Sequence, residues 1–99
     1  MSHKNDDKDA FEKKHQAKID EMKAEIDRLK AKARQAEAES QVKYEQKIKE
    51  LETLKDEAEE RLDSLKKSSK DAWSDISGGL ESATQSLATA IKAASKEFK

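Results

Sequence analysis

From Asp6 to Ser77 the chain contains no proline, glycine or cysteine, and nearly every second residue is charged. Such a stretch has no residue that enters the left-handed backbone region easily and none that removes a helical N–H, so it lacks the usual chemistry of a turn. Lys, Glu and Ala dominate it, and all three are good helix formers. The sequence therefore predicts one long, solvent-exposed helix rather than a compact globule. A rod offers no concave pocket, and concave pockets are where most small-molecule chemistry takes place.

The composition points the same way. Hydrophobic residues make up 33% and charged residues 43% of the chain, against about 45–50% and about 25% in ordinary globular domains. Low hydrophobicity also suits disorder, but disorder usually brings proline, glycine and one-sided charge. Here proline is absent, the only glycines are Gly78 and Gly79, and the net charge is −1. With Lys and Glu interleaved there is no basic face to displace counterions from phosphate, so a nucleic-acid partner is not expected. No run approaches the length of a membrane-spanning helix, and Met1–Asp7 has no apolar signal core. The cytoplasm is the expected location, and the absence of cysteine fits it.

Two regions differ in chemistry, with the change at about Ser68-Ser69-Lys70-Asp71. Residues 1–70 hold eighteen basic and eighteen acidic side chains. Residues 71–99 hold four acids and three lysines, and fifteen of their residues are Gly, Ala, Ser or Thr. Within the first region Ile19, Met22, Ile26, Leu29, Ala33 and Ala36 follow alternating three- and four-residue steps, the seam of a coiled coil. The pattern weakens across Ser40 and Tyr44. It resumes at Ile48, Leu51, Ala58, Leu62 and Leu65, displaced by one residue, a skip that relaxes a left-handed supercoil. Acid-first pairs four residues apart (Asp9–Lys13, Glu39–Lys43, Glu45–Lys49, Glu57–Arg61 and Asp63–Lys67) add about 0.2–0.5 kcal/mol each.

A single helix over residues 6–70 would be roughly 100 Å long at about 1.5 Å per residue. The small-residue stretch from Ala31 to Ser40 admits a second reading, a bend that folds the rod into a hairpin. With no Gly, Pro or Asn there, the sequence favours continuity. Ser68 followed by Asp71 resembles a capping box that starts a second helix at about residue 70. In that tail Trp73, Ile76, Leu80, Leu87, Ile91 and Phe98 recur at helical spacing, and Ser77-Gly78-Gly79 is the expected hinge.

Catalytic and metal motifs are not found. His3 and His15 lie twelve residues apart rather than four, so they do not share a helix face as paired ligands do. His15, between Phe11 and Ile19, is expected at the edge of the seam. The acids form no calcium loop, and no nucleophile elbow or phosphate loop occurs. No enzyme activity and no cofactor are expected.

Three parts of the chain resemble a known family. They are Ile19-Asp20-Glu21-Met22-Lys23-Ala24-Glu25-Ile26-Asp27-Arg28-Leu29-Lys30-Ala31-Lys32-Ala33, then Tyr44-Glu45-Gln46-Lys47-Ile48-Lys49-Glu50-Leu51, and the Asp71-Ala72-Trp73 junction with its Ala-rich helix ending Lys96-Glu97-Phe98-Lys99. In this order they resemble a family of small bacterial coiled-coil stress-response proteins with a cyanobacterial prototype. The resemblance implies a helical, non-enzymatic protein linked to stress tolerance and supplies no catalytic residues. The chain departs from the family at Ser77-Gly78-Gly79 and in its hydroxyl-rich tail.

The expectation is an all-α protein with a charged coiled-coil helix over residues 1–70 and a small-residue-rich amphipathic helix over 71–99. A lone seam is too exposed to be stable, so self-association into a dimer or small bundle is expected. Ile19, Met22, Ile26, Leu29, Ile48, Leu51, Leu62 and Leu65 would line that contact. Helix orientation stays open, because Asn5 is the only asparagine and no core Asn sets a register. The tail face, Trp73 to Phe98, either packs on protein or binds a lipid surface. The lipid alternative makes the protein peripheral to the inner membrane, its weakly charged helix entering lipid by apolar burial.

Overall fold

The computed structural model describes residues 3–98, with side chains from Asp7 onward. It contains three helices, α1 (His3–Gln35), α2 (Ala38–Lys67) and α3 (Trp73–Glu97). The described residues form no strand, so the chain is all-α. Each helix packs on the other two. The result is a slender bundle of 56 × 17 × 17 Å, about half the length of an unbroken rod.

Cross-helix contacts fix the directions. Lys23 pairs with Glu59 at 3.1 Å and Lys30 with Glu52 at 2.7 Å, so α2 runs antiparallel to α1. The Tyr44 hydroxyl donates to the Glu97 carbonyl at 3.1 Å, while Arg61 approaches Gly79, so α3 runs antiparallel to α2. Hence α3 is parallel to α1, and Phe11 meets Trp73 near their shared end. The acid-first pair Asp63–Lys67 forms at 3.0 Å. Its energetic role is small beside the core, which joins Ile19, Met22, Ile26, Leu29 and Ala33 to Ile48, Leu51, Ala58, Leu62 and Leu65, and to Leu80, Leu87, Ile91, Ala94 and Phe98.

The expected continuity through residues 31–44 is not found. The helix stops at Gln35 and restarts at Ala38, with Glu37 extended (φ −64°, ψ 154°) as the cap. Local propensity favours helix there, but two buried stripes and the tail can satisfy one another only if the chain reverses. Burial outweighs the helical hydrogen bonds lost at one break. The hairpin reading is the one the fold adopts.

The expected hinge at Gly78-Gly79 is also absent. Both glycines lie inside α3, and neither has a positive φ. Leu80, fully buried, anchors this turn on the core. A Cβ at Gly79 would lie 2.9 Å from Arg61 Nη1, so glycine lets that side chain cross α3 closely. At Gly78 a Cβ would meet nothing within 4 Å. Gly78→Ala is therefore expected to stabilise the fold by about 0.5–1 kcal/mol, through helix propensity alone. A thermal melt reads this directly, and a lowered midpoint would show that the helix needs glycine flexibility there.

Helix α2 ends at Lys67 and α3 begins at Trp73, and the chemistry between them differs from a capping box. Ser68 closes α2, its Oγ donating to the Leu65 carbonyl at 2.6 Å and its N–H to the same oxygen at 3.1 Å. Ser69 starts the next turn, accepting from Ala72 N–H on its Oγ (3.3 Å) and from Trp73 N–H on its carbonyl (3.1 Å).

Candidate functional site

The features that distinguish this chain are its helix-pairing faces. Ile19, Met22, Ile26 and Leu29 line the inner face of α1, and Ile48, Leu51, Leu62 and Leu65 that of α2; all eight are buried within one chain. The seams expected between copies are thus satisfied by each other and by α3. On α3, Leu80, Leu87, Ile91 and Phe98 are buried, while Trp73 and Ile76 are half-buried against the same core. The tail face is an intramolecular packing face here, and presenting it to lipid requires α3 to leave the bundle.

Aromatic contacts close both ends. At one end Phe11 stacks on His15 with centroids 4.1 Å apart and tilts against Trp73 at 5.9 Å. At the other, Tyr44 stacks on Phe98 at 4.0 Å. His15 lies in the core rather than at its edge, 3% exposed. Its Nδ1 is 3.1 Å from the Phe11 carbonyl, an oxygen that only accepts, so Nδ1 carries the proton and donates. The spacing Phe11, His15, Ile19 was the signal that the seam extends one turn further toward the N-terminus. Thr84 is likewise buried, its hydroxyl within reach of the Leu80 and Glu81 carbonyls at 3.1 and 3.0 Å. Neither polar side chain is left without a partner.

One seam position carries a charge. Lys55 falls between Leu51 and Ala58 on the inner stripe of α2 and is only half-buried. Its ammonium reaches Asp56 at 3.1 Å and Glu59 at 3.7 Å. Hydrogen bonding to Asp56 raises its pKa above the usual lysine value; burial opposes this, and the charges of Asp56, Glu59 and Glu52 add to it. Glu59 also takes Lys23 from α1, so Lys55 belongs to a cross-helix charge network. A long side chain can leave the core by its stem, which explains how a lysine holds a seam position.

The spaces between helices are surface grooves. One of about 310 Å³ lies between α1 and α2, beside Lys30, Ala33, Glu45 and Ile48. Another of about 210 Å³ lies between α1 and α3, beside Lys18, Met22, Thr84 and Gln85. The first also holds the Lys30–Glu52 ion pair, and the second is flanked by Lys18 and Glu21. Among the described residues, no three His, Cys, Asp or Glu side chains are placed to hold a metal ion; the side chain of His3 lies outside them. No helix among the described residues is long and apolar enough to cross a membrane. Compared with protein-family models, curated proteins and solved structures, the chain finds no match in any of the three.

Proposed function

We propose that the protein is a non-enzymatic structural or interaction protein that acts through helix–helix association of its own seams. The observation that carries this reading is the complementarity of α1 to the face formed by α2 and α3. Ile19, Met22, Ile26 and Leu29 fit that face, and Lys23–Glu59 with Lys30–Glu52 set its antiparallel register. A second copy carries the same two faces, so the chain is its own matching partner. The resemblance to small bacterial stress-response proteins links this activity to stress tolerance in the cytoplasm.

Light scattering on the eluting full chain tests the reading. The expected mass rises with concentration above the 11.2 kDa of one copy. Replacing Ile26 and Leu29 by Asn should lower both mass and helicity, because each is nearly fully buried and an amide there is desolvated without a partner. A wild-type mass of one copy at every concentration contradicts self-association.

A second reading is favoured by the composition of α3, whose outer face carries Ser82, Gln85, Ser86 and Thr89 in place of the charges of α1 and α2. Released from the bundle, α3 is an amphipathic helix suited to a lipid surface. Flotation of the full chain with small vesicles, together with a blue shift of Trp73 fluorescence, would favour it. An unchanged spectrum at high lipid removes it.

A further inference from the structure

The chain reverses at Ala36-Glu37, yet little in the local sequence calls for a reversal. Neither residue is Gly, Asn or Pro, and the described backbone contains no positive φ. Glu37 caps α2 without a side-chain hydrogen bond. Gln35, Ala36, Ala38 and the flanking Glu residues are all favourable or neutral in a helix.

Phase supplies a second observation. Ala33 ends the buried stripe of α1, and the half-buried Tyr44, stacked on Phe98, leads into that of α2. They are eleven residues apart, about three turns of α-helix. If residues 36 and 37 turned helical, both stripes would lie on one face of one helix, with Ala36 and Ser40 between them. A connector serving only a hairpin places no such constraint on phase. A third observation is space. The last turn of α3 reaches Tyr44, where Glu97 accepts its hydroxyl, and residues 37–39, 42 and 43 remain exposed.

We propose that the partner is a second copy of this chain and that two copies associate by exchanging α1. Residues 36 and 37 become helical, and α1 and α2 join into one helix about 100 Å long. The α1 of each copy then lies on α2 and α3 of the other. This inference rests on the helix-association reading and specifies its route. Every α1 contact, including Lys23–Glu59 and Lys30–Glu52, is reproduced between copies. The backbone groups left without helical partners at the end of α1 and the start of α2 regain them. The dimer is closed and isologous, because each copy gives the element that it receives.

The chain has no cysteine, so Lys23→Cys with Glu59→Cys places a clean thiol pair across the α1–α2 contact. The full-length double variant is incubated at high concentration, its dimer fraction isolated, and the thiols joined with a short bis-maleimide. Exchange predicts a covalent product of twice the chain mass on a denaturing gel. A second full-length variant, Glu37→Pro, reads the hinge. The φ of −64° at Glu37 is the value proline imposes, so the hairpin is retained. In the joined helix the same proline lies in the interior, and dimerisation should weaken by at least about a hundredfold.

A dimer fraction whose cross-links stay within single chains overturns the exchange while leaving association standing. So does a dimer unaffected by Glu37→Pro. A chain that is monomeric at every concentration overturns the association reading, and the exchange with it. Should Glu37→Pro fail to fold, the thiol pair decides alone.

Discussion

A chain ending at Lys70 is expected to lose cooperative folding. α3 contributes Leu80, Leu87, Ile91, Ala94 and Phe98 to the core, and Trp73 and Ile76 at its margin. Burying the bulky members at about 1.5–3 kcal/mol each gives on the order of 10 kcal/mol, an upper figure because the unfolded chain already hides some surface. That is comparable to the whole stability of a small domain, about 5–15 kcal/mol. Without α3, one side of Ile19, Ile26, Leu51 and Leu62 faces water, and two helices lack the third layer that closes the core. The truncated chain should show much less ellipticity at 222 nm and a broad melt in place of a sharp one. A sharp melt near that of the full chain would mean that α3 is an appendage and that residues 3–67 form the folded unit.

The second large effect is expected at Leu51. It is fully buried at mid-bundle on α2, where α1 and α3 both pack. Leu51→Ala removes three carbons from a site with packing on both sides, and such truncations cost about 2–5 kcal/mol. In a domain of this size each kcal/mol moves the melting midpoint by about 4–8 °C, so the variant should melt at least about 10 °C lower. Val42 is the internal control: it is 59% exposed, and Val42→Ala should change stability by no more than about 0.5 kcal/mol. Equal shifts for the two variants would contradict the placement of α2.

The pairing faces were legible because their periodicity is a property of each helix alone. The three- and four-residue steps from Ile19 to Ala33, from Ile48 to Leu65 and from Leu80 to Phe98 all mark buried stripes. The turn at Ala36-Glu37 was not legible, because it is set by what the stripes find in three dimensions. Lys, Ala, Arg and Glu around it favour helix, and only the small-residue stretch and the one-residue displacement of the seam hinted at a break. Gly78-Gly79 failed in the opposite direction. Two local breakers remain helical because Leu80 is pinned in the core and Arg61 crosses Gly79. Lys55 was not legible from hydrophobic spacing because it is not apolar, and His15 was legible only as an edge residue although it is buried. Each nonetheless occupies a seam position, His15 four residues before Ile19 and Lys55 four after Leu51.

Under the proposed exchange, the bundle and the rod would be two ways of satisfying the same stripes. In one chain the stripes pair through a reversal that the local sequence hardly favours. Between two chains, under the exchange proposed above, they would pair with α1 and α2 joined.

Sedimentation equilibrium of the full-length chain over a wide concentration range, after long incubation at the highest concentration, tests self-association most directly. The expected result is a mass moving from the 11.2 kDa of one copy toward twice that value. A mass of one copy throughout would contradict it and leave a monomeric bundle whose seams serve only its own fold.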